Sequence, residues 1–222
     1  MELSVEDKRW IVVGIAMNKV AVPVLRDEVK KGMDIKYADL ESYCWHRLTP
    51  RCTLKTLNHD LVHRDSILSW LKFENINNNY QLLGENYESY NFNILNGSID
   101  LAKLYLPFEV ARKFSAFDES MDMTPILHLL EFPYYKPNWM FTRHTQALAK
   151  DVRDNVRNKW GHFNGTEWTD VLFNDRFDKL KNLVKSLPLE PSVKQKTLDQ
   201  LDDWRRKGGN KLYKIPVLVN NQ

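Results

Sequence analysis

The chain has 222 residues, of which 43% are hydrophobic and 27% charged, and its formal net charge is +3 at pH 7. This composition is that of a folded globular protein and not of a mostly disordered one, and the small net charge does not by itself indicate a polyanion partner. The first residues are acidic, and the longest apolar run (Trp10 to Met17) is shorter than the roughly 20 residues of a membrane span. We therefore expect a cytoplasmic or nuclear protein with no membrane segment.

The first third of the chain is predicted to form three helical stretches. Apolar residues recur at helical spacing from Ser4 to Lys31, where Pro23 is expected to bend or break the run. A second helix is predicted from Tyr37 to Leu48. It is expected to end there because the residue that precedes Pro50 resists the α conformation. A third is predicted from Asn58 to Phe73. The Asn- and Tyr-rich stretch 74–98 shows little periodicity, so we predict an irregular insertion there.

Short helices are predicted in the middle of the chain. One covers Ser98 to Leu104, and another follows Pro107 and reaches about Phe117. Thr124 has the position of an N-cap, followed by a proline at the first helical position, and Pro133 is expected to end that helix. Aromatic residues then precede Thr145 and are expected to pack as a lid on the core: Phe132, Tyr134, Tyr135, Trp139 and Phe141.

The last third of the chain carries the clearest helical patterns. Helices are predicted from Gln146 to Trp160, from Phe173 to Leu187 and from Pro191 to Arg206, with Gly208-Gly209 just beyond the last one. The apolar run Ile215–Val219 is expected to add a strand or to dock as an arm. We therefore predict an all-α protein in three parts: a helical domain (1–187), a C-terminal helix (188–207) and a tail (208–222).

The helix predicted from Gln146 ends in a sequence that points to chemistry, Arg157-Asn158-Lys-Trp-Gly161-His162. On an ideal helical wheel Asn158 and His162 are neighbours, Arg157 lies on the other flank of the polar face, and Gly161 allows His162 to swing inward. An arginine can bind a phosphate through two hydrogen bonds, and a histidine can move protons near neutral pH. Together they are the minimum set of side chains for cutting RNA without a metal ion.

This Arg-x4-His arrangement, on a late helix of an all-α domain, resembles the motif of the HEPN superfamily, an arginine and a histidine separated by four to six residues. The position after the arginine is usually polar in that family, as Asn158 is here. The flanking residues and the amphipathic helix that follows look like the animal HEPN subgroup represented in the DAZ-interacting E3 ubiquitin ligase. The likeness covers about residues 145 to 187.

The resemblance implies a helical domain that forms a symmetric homodimer with its two motif helices apposed and cuts RNA without metal or another cofactor. His162 would then be the general acid or base, Arg157 would hold the phosphate, and Asn158 would orient the histidine or the substrate. Basic residues of the same polar surface are the candidate RNA contacts: Lys150, Arg153 and Lys159. Other HEPN domains are inactive dimerisation or RNA- or nucleotide-sensing modules, including in defence signalling, and this alternative stays open.

The same residues also allow interpretations without catalysis. Arg157 can pair with Asp154 one turn earlier, and the His162 ring can cap the end of its helix. A zinc site is the alternative for Cys44, Cys52, His59 and His63, but the eight-residue spacing of the cysteines is not that of a zinc knuckle, so no metal is expected. Basic residues near the C-terminus offer further phosphate contacts or a merely solvated face: Arg205, Arg206, Lys207, Lys211 and Lys214.

Overall fold

The structure is a computed structural model that describes residues 3–48, 51–82, 89–92, 95–131 and 139–209. Helices dominate these residues and no strand occurs among them, so the fold is all-α, as predicted. The α-helices are α1 (Val5–Ile15), α2 (Val22–Tyr43), α3 (His59–Arg64), α4 (Ser98–Tyr105), α5 (Phe108–Ala111), α6 (Met123–Glu131), α7 (Arg143–Val152), α8 (Asn158–Gly161), α9 (Asp170–Ser186) and α10 (Pro191–Gly209). Segments of π-helix are Ala16–Ala21, Cys44–Leu48 and Arg153–Arg157, and 3-10 turns are Leu54–Thr56, Leu68–Trp70, Phe73–Asn75, Asn79–Leu82 and Gly165–Glu167.

The N-terminal helices α1 and α2 form one helical rod with the π segment between them. The predicted break at Pro23 is absent, because the wider π turn directly before it accommodates a residue that has no amide hydrogen and whose ring collides with a normal preceding turn. The amide of Val22 donates to the carbonyl of Met17, five residues back. The residues between Lys31 and Tyr37, which separate the first two predicted helices, are also helical. Burial of one face of the rod outweighs these local breaking signals.

The predicted helix from Asn58 to Phe73 is shorter than expected and ends with α3. Asn58 caps its start by accepting a hydrogen bond from the amide of Leu61 at 3.0 Å. Asp65 then takes an extended conformation, and its carboxylate accepts from the amides of Ile67 and Leu68, each at 2.8 Å. The aspartate satisfies backbone donors outside a helix, so the chain continues in 3-10 turns.

Asn79 organises the described part of the insertion predicted at 74–98. Its side chain is 1% exposed and donates to the carbonyls of Phe73 and Asn91, at 2.8 and 3.1 Å. Its Oδ1 accepts from the amide of Asn91 at 2.9 Å. Buried backbone groups of an irregular segment are thus satisfied by a side chain in place of secondary structure. Residues 83–88 and 93–94 of the insertion lie outside the described residues.

Two predicted boundaries in the middle of the chain are wrong. Helix α5 has only four residues and does not reach Phe117, whereas α4 agrees with its prediction to within one residue. Helix α6 starts at Met123, and the carboxylate of Asp122 accepts from the amide of Thr124 at 2.7 Å. Thr124 is therefore a helical residue, and an aspartate before it supplies the cap.

The predicted aromatic lid is described only from Trp139 onward, because residues 132–138, which include Pro133, lie outside the described residues. The Trp139 ring meets Tyr105 edge to face, with ring centroids 4.8 Å apart, and its indole N–H donates to the carbonyl of Leu129 at 3.2 Å. Phe141 is buried. This end of the segment packs on α4 and α6, as a lid would.

Helix α9 lies at the centre of the C-terminal half, packed against both α7 and α10. Its predicted apolar stripe is buried, and each fully buried side chain of this size contributes about 2 kcal/mol by removal from water: Phe173, Phe177, Leu180, Val184 and Leu187. Helix α10 packs on α1 as well as α9. The tail from residue 210, with the apolar run Ile215–Val219, lies outside the described residues. No described helix combines the length and apolarity required to cross a bilayer.

Gly14 brings α1 close to the end of the helix that carries the candidate motif. A Cβ atom at Gly14 would overlap the Trp160 indole, with Cε2 only 2.7 Å away. The Trp10 indole N–H also donates to the carbonyl of Trp160 at 2.8 Å, which holds the two helices together. A residue without a side chain is therefore required at this crossing.

We expect Gly14→Ala to lower the free energy of unfolding by about 1–2 kcal/mol, because overpacking outweighs the better helix propensity of alanine. Urea denaturation followed by circular dichroism measures the change. Gly165→Ala is the matched control, since nothing lies within 4 Å of a Cβ placed there. Equal unfolding midpoints for Gly14→Ala and the wild type would contradict the close crossing.

Candidate functional site

The motif helix consists of α7, the π segment Arg153–Arg157 and α8, and runs from Arg143 to Gly161. Thr142 caps its start, where Oγ1 accepts from the amide of Thr145 at 3.2 Å. The predicted apolar stripe faces the core: Val152 and Val156 are buried, and Leu148 and Trp160 are partly buried. The sequence did not predict the π segment, in which the amide of Asn158 donates to the carbonyl of Arg153.

The π segment changes the expected arrangement of the motif side chains. A π turn contains more residues than an α turn, so residues after it are rotated relative to an ideal helical wheel. Arg157 Nη1 donates a hydrogen bond to Oδ1 of Asn158 at 3.2 Å. The wheel places Arg157 and Asn158 on different flanks of the polar face, and the long arginine side chain reaches the amide of its neighbour. The structure brings the guanidinium and the amide together.

His162 lies at the end of the motif helix with its ring exposed. Its backbone has left helical geometry (φ −125°, ψ 79°), and its amide donates to the carbonyl of Asn158 at 3.1 Å. The backbone therefore closes the helix, and the ring is not swung inward as Gly161 allowed. A Cβ built on Gly161 would lie 3.9 Å from Arg157 Nη1. The guanidinium therefore extends along the last turn toward the start of the His162 side chain.

The basic side chains around Arg157 are paired with carboxylates. Arg153 pairs with Glu131 through Nη1 and with Asp154 through Nε, at 3.1 Å for the latter. Lys159 Nζ lies 2.8 Å from a carboxylate oxygen of Glu167, and Lys150 is exposed.

Arg157 itself forms no ion pair with any residue that the structure describes, and its expected partner Asp154 is bonded to Arg153 instead. The alternative pairing of Arg157 with Asp154 is therefore wrong.

Arg176, a buried residue of α9, supports the motif helix. The sequence analysis did not single it out. It is 3% exposed, and its Nε donates to the carbonyl of Asn155 in the π segment at 3.3 Å. Nη1 donates to the carbonyl of Glu167, and Nη2 lies 3.3 Å from the carboxylate of Glu167. The guanidinium also stacks over Trp168, 4.0 Å from the ring centroid. The sequence signal for a buried Arg176 was its position three residues after Phe173, on the buried face of α9.

Helix α6 packs mainly against α7 of the motif helix and also contacts the π segment Arg153–Arg157. The pKa of Glu131, at the end of α6, depends on the charges of Lys150, Arg153 and Asp154. Burial raises the pKa of the Glu131 carboxyl, although Arg153 opposes this shift. The pKa of His128, one turn earlier in α6, is lowered by burial and by the positive charges of Arg153 and Arg157.

His128 is a half-buried histidine that sequence reasoning did not single out. Burial lowers its pKa to about 4, and the positive charges of Arg153, Lys72 and Arg157 act in the same direction. Lys72 reaches this region from the chain between two 3-10 turns, where its amide donates to the carbonyl of Leu104 at 3.0 Å. The His128 imidazole is consequently neutral at pH 7. The only sequence signal was a single histidine within the apolar residues of α6.

Cysteine and histidine side chains in the first third do not form the zinc site that their types allowed. Cys44 and Cys52 are both buried, and burial, helped by the neighbouring Cys52, raises the pKa of the Cys44 thiol to about 12. Such a thiol is a poor nucleophile. His59 and His63 stack on each other with ring centroids 5.7 Å apart. The described residues contain no cluster of three or more metal-ligating side chains.

The basic residues at the end of α10 are engaged with their own chain. Arg205 pairs with Asp178 at 2.7 Å, Arg206 pairs with Asp203, and the Lys207 ammonium lies 4.4 Å from the centroid of the Trp204 ring. Lys211 and Lys214 lie outside the described residues. The three described basic residues at the end of α10 are therefore already engaged within the chain.

No protein-family model matches the chain, and comparisons with curated proteins and with solved structures likewise find no match. The assignment to the HEPN superfamily accordingly stays a prediction that rests on residues 145 to 187. Within that range the residues that can act on a ligand are gathered at one end of the motif helix: Arg157, Asn158 and His162.

Proposed function

We propose that the chain is a HEPN-type RNA-binding protein that cuts RNA without a metal ion at Arg157 and His162. The supporting observation is that Arg157 has no carboxylate partner among the described residues, whereas Arg153 and Lys159 beside it do. A guanidinium that is held by the Asn158 amide and not neutralised favours a bound anion. The exposed His162 ring at the same helix end favours a phosphodiester that undergoes proton transfer.

The proposed reaction is an internal displacement at phosphorus. The 2′-hydroxyl oxygen of RNA bonds to the adjacent phosphorus, and the bond from phosphorus to the 5′ oxygen breaks. Arg157 binds the non-bridging oxygens and stabilises their growing charge, and His162 exchanges a proton with the reacting oxygens. Asn158 orients Arg157, since its Oδ1 accepts from that guanidinium. DNA lacks the attacking hydroxyl and is not cut.

Lys150 is the strongest of the proposed RNA contacts. It is exposed and lies seven residues before Arg157 on the motif helix. Arg153 already pairs with Glu131, and Lys159 already pairs with Glu167. Each contributes to RNA binding only by sharing its positive charge between its carboxylate partner and an RNA phosphate. RNA is therefore expected to follow the motif helix from Lys150 toward His162.

We expect His162→Ala to slow RNA cleavage by about 100-fold or more, the usual contribution of a proton-transfer group. Cleavage of an end-labelled single-stranded RNA in EDTA measures the effect. His144→Ala is the matched control, because His144 is an exposed histidine at the opposite end of the same helix. Equal rates for His162→Ala and His144→Ala would show that His162 does not act in the reaction.

An exposed apolar patch beside His162 supports the proposed homodimer. Phe163, Val171 and Leu172 are 45%, 76% and 38% exposed. Phe163 contacts the ring of Trp10, and Arg9 pairs with Asp170 at 2.9 Å, so α1 joins the two parts of the patch. Apolar groups clustered at a surface favour association. The same patch serves the alternative function, an inactive dimerisation or RNA-sensing module, which differs by binding RNA without cutting it.

We expect Val171→Glu to turn a dimeric wild type into a monomer, because a buried and unpaired carboxylate at the interface is strongly unfavourable. Light scattering at several protein concentrations measures the mass. Val193→Glu is the matched control, since Val193 is 43% exposed near the start of α10. A wild type that is monomeric throughout, or a Val171→Glu protein that stays dimeric, would exclude this patch as the interface.

A further inference from the structure

We infer that the chain has a second ligand site, a cavity beside α3 that binds the guanine base of a nucleoside. This α3 cavity has a volume of about 300 Å³ and lies between α3, the 3-10 turns that follow it and the short segment 89–92. The described residues that line it all lie between His59 and Phe92, outside the motif helix. The inference therefore goes beyond the proposed function and does not depend on it.

Apolar side chains form most of the wall of the α3 cavity. Phe73 and Phe92 are both buried, and their rings meet edge to face with centroids 4.9 Å apart. Tyr90 packs beside Phe92 with ring centroids 6.2 Å apart, and Val62 and Leu71 also line the cavity. Walls of this kind favour a flat aromatic ligand. A volume at the lower end of the range for ligand pockets suits a single fused ring system.

A buried side chain holds this wall in place within the protein itself. Asn79 donates to the carbonyls of Phe73 and Asn91, at 2.8 and 3.1 Å, and accepts from the amide of Asn91 at 2.9 Å. One amide group therefore joins the two segments that carry Phe73 and Phe92. Because the wall is already fixed, a ligand does not have to order it on binding, which favours affinity.

Glu74 supplies the hydrogen-bonding group that selects the ligand. It is partly buried and lines the cavity, and its carboxylate makes no ion pair or hydrogen bond with any residue that the structure describes. A carboxylate accepts two parallel N–H bonds through its two oxygens. Guanine presents two adjacent donors on one edge, the ring N–H and the amino group beside it, whereas adenine presents a donor beside an acceptor. Glu74 therefore favours guanine over adenine.

The other polar side chains of the cavity match an uncharged ligand. His59 and His63 lie one turn apart on α3 with nearly parallel rings, 5.7 Å between centroids, and Ser69 adds a hydroxyl. These groups can bond the guanine carbonyl or the hydroxyls of a ribose. The described lining contains no lysine or arginine, and the Glu74 carboxylate repels a phosphate. Charge therefore favours a nucleoside over a nucleotide or an RNA strand, in which phosphates flank each base.

The test is isothermal titration calorimetry of the full chain with guanosine and with adenosine. We expect the wild type to bind guanosine about 10-fold more tightly or better, because adenine turns an acceptor toward a carboxylate oxygen. Glu74→Gln should lose this preference, since the glutamine amide offers one acceptor and one donor and so matches adenine. Glu109→Gln is the matched control, because Glu109 is an exposed glutamate of α5 that does not line the cavity.

The inference is overturned if the wild type binds no guanosine at millimolar concentration, or if Glu74→Gln keeps the wild-type preference for guanosine. Guanosine 5′-monophosphate should bind no more tightly than guanosine. A nucleotide that binds about 10-fold more tightly would overturn the assignment to a base without phosphate. None of these results bears on RNA cleavage at Arg157 and His162, so failure here leaves the proposed function standing.

A second measurement needs only the wild type and decides the matter if Glu74→Gln does not fold. Guanosine should shift the imidazole NMR resonances of His59 and His63, which line the cavity, and leave those of His144 in α7 unchanged. Resonances of His59 and His63 that move no more than those of His144 would overturn the placement of the ligand in this cavity.

Discussion

Replacing Arg157 with alanine is expected to lower kcat/KM for RNA cleavage by about 10²–10³-fold, the loss typical of removing one donor to a developing oxyanion. The free energy of unfolding should change by less than about 1 kcal/mol, because Arg157 makes no ion pair with the described residues and a single hydrogen bond to Asn158. A large catalytic effect with little effect on folding distinguishes a phosphate ligand from a structural arginine.

The matched control for this prediction is Arg143→Ala. Arg143 is an exposed arginine in the first turn of the same helix, 14 residues before Arg157 and therefore about 20 Å away. Its replacement should leave cleavage unchanged. Arg157→Lys keeps the charge but loses the two-donor geometry, so its rate should fall between wild type and Arg157→Ala. Equal activity of the wild type and the Arg157→Ala protein would exclude Arg157 as the phosphate ligand.

Replacing Arg176 with methionine is expected to lower the free energy of unfolding by about 3–5 kcal/mol, as for other buried ion pairs that lose one member. The guanidinium is 3% exposed and contacts the carbonyls of Asn155 and Glu167 as well as the Glu167 carboxylate. Methionine fills similar space but leaves these buried acceptors without their donor. The π segment that positions Arg157 should loosen as a result.

Guanidinium chloride denaturation followed by circular dichroism measures the effect of Arg176→Met. Arg205→Met is its matched control, because Arg205 also pairs with an aspartate of α9, Asp178, but both side chains are substantially exposed. Loss of such a surface pair changes stability by less than about 1 kcal/mol. If both variants unfold at the same denaturant concentration, Arg176 is not the support of the motif helix that its contacts indicate.

Local sequence patterns predicted the parts of the fold that local forces decide. The stripe of α9 from Phe173 to Leu187 and the proline and glycines around α10 gave both helices, because amphipathic spacing and end signals act within one element. The continuation of the helix through Pro23 was not predictable in this way. It depends on the π segment Ala16–Ala21, whose side chains are largely buried against other helices.

The same distinction applies to the candidate site, because local sequence predicts some of its residues and not others. Arg157, Asn158 and His162 lie within six residues, so a sequence motif can find them. The contact of Arg157 with Asn158 follows a π segment that no periodicity showed. Arg176 contacts the motif helix from α9, through hydrogen bonds that exist only once the chain has folded. Sequence reasoning therefore found the candidate residues at the end of the helix and missed the buried arginine that supports this helix.

The most direct test of the central claim uses a DNA oligonucleotide that contains a single ribonucleotide, incubated with the wild type in EDTA. Metal-independent cleavage by internal attack predicts a cut only on the 3′ side of that ribonucleotide, with a 2′,3′-cyclic phosphate on one product and a 5′-hydroxyl on the other. Arg157→Ala and His162→Ala should leave the oligonucleotide intact, and Arg143→Ala should not. No cut by the wild type, a cut that requires added metal, or cleavage of the all-DNA strand would contradict the account.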